Sequence, residues 1–172
     1  NSNFGIAVGD DGTIFKSTNG GITWINRTTG SSSYYDVFII NYNLIWTVSV
    51  SGSVYKSTSQ GDTWTQVATL PTSAISIFFT DSLIGYVGAT PGIYKTTNGG
   101  ANWSYTGAGN HIYDIDFVNN NIGWACGSHR GRCVDDGPTG CERGCAVARS
   151  WCAHGEVQVV IVLQPDCPGA DA

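Results

Sequence analysis

Read for its apolar and polar positions, the chain is a succession of short β-prone runs with turn residues between them. Residues 35–69 hold four such runs, "YDVFIIN", "LIWTVSV", "SVYKSTS" and "TWTQVAT", rich in Val, Ile, Thr and aromatics. No stretch of ten or more residues carries apolar positions at helical spacing. The pattern recurs with a period of roughly 40 residues. "FGIAVG", "LIWTVSV", "IGYVGA" and "IGWACG" align with one another, as do "YYDVFIIN", "AISIFFTD" and "IYDIDFVN". Asp11-Gly12 predicts a tight hairpin, since both central residues of such a turn take positive φ. Four antiparallel strands per repeat, set radially, make the blade of a β-propeller. Apolar residues on both faces of many strands suit sheets sandwiched between neighbours. The expected fold class is all-β: propeller blades over residues 1–127, two of them complete (34–70 and 74–108), with a partial blade on each side. An irregular Cys-rich C-terminal tail, residues 128–172, follows.

A second signature closes the third run of each repeat: "KSTNGGITW" (16–24), "KSTSQGDTW" (56–64) and "KTTNGGANW" (95–103). A lysine beside two glycines raises the question of a phosphate cradle. A P-loop, however, needs a strand-to-helix transition with the lysine after the glycines, and neither is present. The alternative is a turn that builds the fold. Ser17 and Asn19 are placed to hydrogen-bond backbone N–H groups across it, and Gly21 supplies positive φ without steric cost. Trp24 is expected to bury its ring between blades, contributing about 2–3 kcal/mol. Ser57, Ser59, Gly61 and Trp64 repeat these parts, and so do Thr96, Asn98, Gly100 and Trp103. The pattern Ser/Thr-x-Asn/Ser-x-Gly-x-x-Trp resembles the Asp-box, or BNR repeat. "GIAVGDDGTIFKSTNGGITW" resembles the propellers of the photosystem II assembly and stability factor family, over about residues 4–127, and is similar to blades of sialidases and xyloglucan-cleaving endoglucanases. The resemblance implies that the box is a folding element. Asn19, Ser59 and Asn98 stand where aspartate is typical, which argues against a metal role.

Composition narrows the partners. The net charge is −5 and only 12% of the 172 residues are charged, with no basic patch, so a nucleic-acid surface is not expected. No apolar run reaches membrane-spanning length. Low charge with abundant Ser, Thr, Asn and Gly suits an exported protein, whether extracellular, periplasmic or in a thylakoid lumen. "FGIAVG" matches the second run of a repeat and there is no Met, so a piece of a longer chain is expected. After Gly127 the repeat stops, and Glu142 stands where a fourth box would place a tryptophan. Residues 128–172 contain no Asn, Lys, Phe or Tyr but five of the six cysteines. Three readings stay open: a disulfide-bearing extension, a zinc site from Cys141, Cys145, Cys152 and His154, or a shifted reading frame, which the nucleotide sequence would test. The run "VQVVIVL" (157–163) is a candidate first strand for the incomplete leading blade, closing a four-blade ring.

Candidate chemistry is sparse. A sialidase-type site needs an arginine cluster and a Tyr/Glu nucleophile pair, but residues 1–127 hold one arginine, Arg27, and no glutamate. An endoglucanase-type site needs two carboxylates across the scissile bond, and the candidates are Asp36, Asp81, Asp114 and Asp116. Asp36 and Asp114 share one repeat position, with Ser76 between them. They either face the channel together or cap turns near the strand starts. His111, His129 and His154 have no nucleophile at a defensible spacing, and Cys126 reads as a small buried apolar residue. No metal or cofactor is expected. The favoured function is a non-catalytic scaffold for protein binding or complex assembly. Its contact candidates are Asp36, Asp114 and the aromatics Tyr34, Tyr35, Tyr42 and Tyr113, since tyrosine is enriched at interfaces. The alternative is a fragment of an Asp-box glycoside hydrolase, whose partner would be a glycan.

Overall fold

The computed structural model describes residues 3–107, 110–119, 122–128, 146–153 and 156–163. Among them every regular element is a strand, and the strands form antiparallel sheets. The first sheet has three strands, β1 (Gly5–Val8), β2 (Ile14–Ser17) and β3 (Ile25–Asn26), in sequence order. β4 (Tyr34–Asn41), β5 (Leu44–Ser49), β6 (Ser53–Ser57) and β7 (Thr65–Thr69) form the second, also in order. β8 (Ala74–Phe79), β9 (Gly85–Ala89), β10 (Gly92–Thr96) and β11 (Ser104–Gly107) form the third. The fourth contains β12 (His111–Asn119), β13 (Ile122–Ser128), β14 (Ala146–Ala153) and β15 (Glu156–Leu163) in the order β12-β13-β15-β14. The alternating runs thus become antiparallel sheets.

Local chemistry explains the turns. Asp11 and Gly12 take φ of 53° and 73°, the left-handed pair that a two-residue hairpin demands. In each box a buried hydroxyl collects the turn's N–H groups. Ser17 Oγ accepts from Gly21 N–H at 2.9 Å, Ser57 Oγ from Gly61 N–H at 2.9 Å, and Thr96 Oγ1 from Gly100 N–H at 3.0 Å. Asn19 and Asn98 carboxamide oxygens and Ser59 Oγ accept the next N–H, from Thr23, Asn102 and Thr63. The box builds the turn, as its residue types predict.

The packing between blades follows a rule that was not anticipated. The box tryptophans are not the buried wedges: Trp24 is 45% exposed, and Trp64 and Trp103 are only half-buried. The fully buried indole belongs to Trp46, in the second strand of its blade. Its ring stacks on Phe79 of the next blade, centroids 4.5 Å apart, and lies over Gly100, where a Cβ would come within 2.5 Å of it. The same register position holds Ile6 in the first blade, whose Cδ1 covers Gly61, and Tyr86 in the third, which stacks on Phe117 at 4.5 Å. A large side chain from the second strand thus meets the blade that follows: Ile6 at its box glycine, Tyr86 at its first strand, and Trp46 at both. The box tryptophan loses because it lies at the rim of this socket, with Trp103 reaching Phe79 edge-on at 6.0 Å.

The "VQVVIVL" run does not supply a first strand to β1. As β15 it pairs with β13, Trp124 opposite Val162, in the third position of the fourth sheet. The proposed zinc set and the disulfide pairings fall outside the residues whose side chains are described.

Candidate binding site on the inner strands

The first strands of the three four-stranded sheets, β4, β8 and β12, pack against one another in turn, and each begins with an irregularity. In β4 the register slips between Tyr34 and Asp36, in β8 between Ala74 and Ser76, and in β12 between Ile112 and Asp114. Each slip is one extra residue, a β-bulge that bends the strand and re-aims its side chains. The extra residues are Tyr35, Ile75 and Tyr113. Two of them are the most exposed aromatics of the inner strands, Tyr35 at 52% and Tyr113 at 55%. Strand alternation puts the turns between first and second strands, and the boxes, at one end of the sheets. The bulges lie at the other end, beside the connections that carry Val50 and the cis Thr90-Pro91 bond. Nearby, Thr90 Oγ1 and His111 Nδ1 are 2.9 Å apart.

The residue after each bulge is Asp36, Ser76 or Asp114. Asp36 accepts its own chain's Val37 N–H at 2.7 Å with Oδ1 and Ile77 N–H of the next blade at 2.8 Å with Oδ2. It stitches two blades together. Burial pushes its carboxyl above the usual carboxylate range, the two backbone N–H groups pull it back, and the nearby charge of Asp114 raises it again. The repeat spacing thus brings Asp36 and Asp114 within electrostatic reach. Asp114 is exposed and accepts Ile115 N–H at 2.9 Å. Ser76, between them, is 3% exposed, and its Oγ finds no hydrogen-bond partner among the described residues. Cys126, across from Asp114, is a half-buried free thiol whose pKa rises through burial and then through the Asp114 charge.

The remaining candidates scatter. Tyr34 is not available for contact: it is 2% exposed, donates its hydroxyl to the Thr29 carbonyl at 2.7 Å and meets Tyr55 edge-on. Burial, its largest perturbation, raises its pKa. Tyr42 lies at the opposite end, packed on Phe4. Asp81 caps a turn through Leu83 and Ile84 N–H, and Asp116 accepts Phe117 N–H. Ile75 was missed, because only its bulge position distinguishes it from a core isoleucine.

A family model for photosynthesis system II assembly factor YCF48 matches residues 1–110. No curated protein matches. Among solved structures, YCF48 bound to a D1 peptide is 21% identical with a TM-score of 0.59, covering 77% of this chain and 50% of that one. YCF48 from Cyanidioschyzon merolae is 14% identical with a TM-score of 0.54, over 95% of this chain and 64% of that one. An ancestral GH74 enzyme is 24% identical with a TM-score of 0.61, over 76% and 21%. At these identities the structural likeness speaks for the fold alone, and this chain spans half the length of the peptide-bound YCF48. The blade pattern, the boxes and the family match over most of the chain agree: this chain belongs to the photosynthesis system II assembly factor YCF48 family.

Proposed function

We propose that the chain is a non-catalytic propeller scaffold that binds an extended segment of a protein partner across the bulged ends of its inner strands. The observation that carries this reading is the set of three bulges. They hold Tyr35, Ile75 and Tyr113 at one repeat position of successive sheets, Tyr35 and Tyr113 exposed and Ile75 half-buried, with the exposed Asp114 carboxylate next to Tyr113. Two rigid amphipathic rings with an isoleucine between them suit a peptide, because a tyrosine buries a large area at small entropic cost. The family and the peptide-bound neighbour support a protein partner. The low charge and the Ser, Thr, Asn and Gly content support an exported setting.

The glycoside hydrolase reading is weaker for a stated reason. A two-carboxylate mechanism needs both groups free to act on the bond, whereas both oxygens of Asp36 are engaged by backbone N–H groups that hold two blades together.

Screening the chain against an array of short synthetic peptides, with Tyr35→Ala and Tyr113→Ala as variants, tests the proposal. Peptide capture by the wild type, lost in both variants at unchanged melting temperature, is the expected result. Hydrolysis of xyloglucan that disappears in Asp114→Asn would overturn it.

A further inference from the structure

The junction between the first and second sheets carries polar groups that the next junction does without. Between β3 and the second box lies a cleft of about 380 Å³, lined by Arg27, Thr28, Thr29, Asp62, Thr63 and Trp64. One junction further on, Val67, Ala68, Ala101 and Asn102 stand at the repeat positions of Arg27, Thr28, Asp62 and Thr63. Two sheets therefore pack side by side with neither a guanidinium nor a carboxylate between them. Lys16 accounts for Asp62, since the knob that fills the first junction, Ile6, has no ring face to hold a cation. It does not account for Arg27.

How these charges are tied decides what they have left to offer. Asp62 Oδ1 accepts from both Lys16 Nζ at 3.0 Å and Arg27 Nε at 2.9 Å, so Oδ2 has no donor among the described residues. Arg27 Nη1 donates to the Asn26 carbonyl at 3.0 Å, and Nη2 has no acceptor among them. The two cations lower the pKa of Asp62, which keeps it an acceptor. Lys16 is only 6% exposed, so the accessible charges are one guanidinium and one carboxylate, which cancel. Trp64 is half-buried, with its indole N–H held by the Gly61 carbonyl at 3.1 Å, and among the described residues no other ring covers it.

We propose that this cleft is a binding subsite for a neutral saccharide, one sugar ring lying against Trp64 with adjacent hydroxyls on Asp62 Oδ2 and Arg27 Nη2. The class of ligand follows from the donor set. A carboxylate oxygen and a guanidinium N–H on one ion pair match a vicinal diol, which offers a donor to the first and an acceptor to the second. The indole supplies area for the apolar C–H face of the sugar. An anionic group would bring its charge against Asp62, and an apolar ligand would leave both charged groups unpaired. The volume lies at the lower end of the range of about 300–1,000 Å³ typical of small-molecule sites. A lone carboxylate held by two cations binds without cleaving, since glycoside hydrolysis takes a pair. The cleft is at the box end of the sheets and does not depend on the peptide surface at the bulged end.

Screening the 172-residue chain on an array of immobilised neutral oligosaccharides, with sulfated and sialylated glycans and acidic peptides alongside, tests the assignment. Capture of a neutral oligosaccharide is expected. Arg27→Val installs the residue of the second junction, which packs without the guanidinium, so its far-UV spectrum should be unaltered. Arg27→Val and Asp62→Asn should each raise the dissociation constant of the captured saccharide about tenfold or more, as the loss of a hydrogen bond to a charged group does. Leu83→Ser, in the exposed turn between β8 and β9, should leave it unchanged. Capture of no neutral saccharide, capture of anionic glycans or acidic peptides alone, or equal affinity of the wild type and Arg27→Val for a neutral saccharide would overturn the proposal.

Discussion

Replacing Gly100 with alanine tests the junction rule most directly, because the structure separates the two costs of that methyl group. Gly100 has φ of +80°, a conformation that costs an L-residue about 1–2 kcal/mol. Its new Cβ would stand 2.5 Å from one ring carbon of Trp46 and 2.7 Å from another. The ring has little room to yield, being fully buried, stacked on Phe79 and covered by the Lys56 ammonium. Overpacking of this sort costs about 1–3 kcal/mol more. Gly100→Ala should therefore lose about 2–5 kcal/mol. Gly21 occupies the same box position with φ of +85°, but its Cβ would meet only Trp24 at an ordinary 3.7 Å. Gly21→Ala should then lose only the backbone share, about 1–2 kcal/mol. In a chain of this size each kcal/mol moves the melting temperature by about 2–4 °C, so the two variants differ well beyond measurement error. Urea titrations followed by tryptophan fluorescence give both values. Equal losses for the two variants would refute the socket, leaving the glycines conserved between repeats for their backbone alone.

The box hydroxyls and the stitching carboxylate give two further tests. Ser57→Ala and Thr96→Val each leave a buried glycine N–H without its acceptor and should cost about 1–3 kcal/mol in the same urea titrations; a neutral result would mean that water replaces the hydroxyl. Asp36 has its folded-state pKa raised, so the native chain holds its proton more tightly than the unfolded one, and stability should fall as pH rises from the ordinary aspartate value through the folded one. Asp62 runs the opposite way: hydrogen bonds from Lys16 and then Arg27 lower its pKa, so its contribution is present above the ordinary value and lost as pH falls through the folded one. Melting temperatures across the acidic range should show the first slope flattened in Asp36→Asn and the second in Asp62→Asn, with only the second, an exposed ion pair, sensitive to salt. Asp36→Asn should also lower stability at neutral pH, because the carboxamide sets an NH2 donor against one of the two N–H groups that Asp36 accepts through separate oxygens.

The strands, their antiparallel sheets and the turn hydrogen bonds were legible because each rests on local rules. Period-two runs, Asp11-Gly12 and the Ser/Thr-x-Asn/Ser-x-Gly spacing all act within a few residues of themselves. What could not be read was which side chain of one blade reaches the next. Trp24, Trp64 and Trp103 recur at the repeat period and so look like the anchors. Ile6, Trp46 and Tyr86 recur too, but as three different residue types whose common role is visible only once the sheets stand side by side. The binding site shows the same limit. Tyr34 and Tyr35 are adjacent aromatics, and alternation alone cannot say which is core. The bulge decides it, burying Tyr34 and turning Tyr35 out. In the tail, "VQVVIVL" was legible as a strand, but its partner was not, since a run apolar on both faces fits more than one place in a stack of sheets.

The lysine that opens every box shows how the two levels are coupled. Lys16, Lys56 and Lys95 stand in the same register, each opposite the knob residue of its own blade. Where the knob is Trp46 or Tyr86, the ammonium lies over the ring, 5.0 and 5.4 Å from the centroid, and the position facing it in the next box is free of charge, as Ala101 shows. Where the knob is Ile6 there is no ring face to hold a cation, and Lys16 instead reaches the carboxylate of Asp62 in the next blade. One positive charge per blade is thus satisfied by whichever partner the knob leaves available. If that account is right, converting Ile6 to tryptophan should weaken the dependence on Asp62, so that Asp62→Ala costs less in the Ile6→Trp background than in the wild type. A double-mutant cycle read by urea denaturation measures the difference. Identical costs in the two backgrounds would mean that the lysine does not choose between ring and carboxylate.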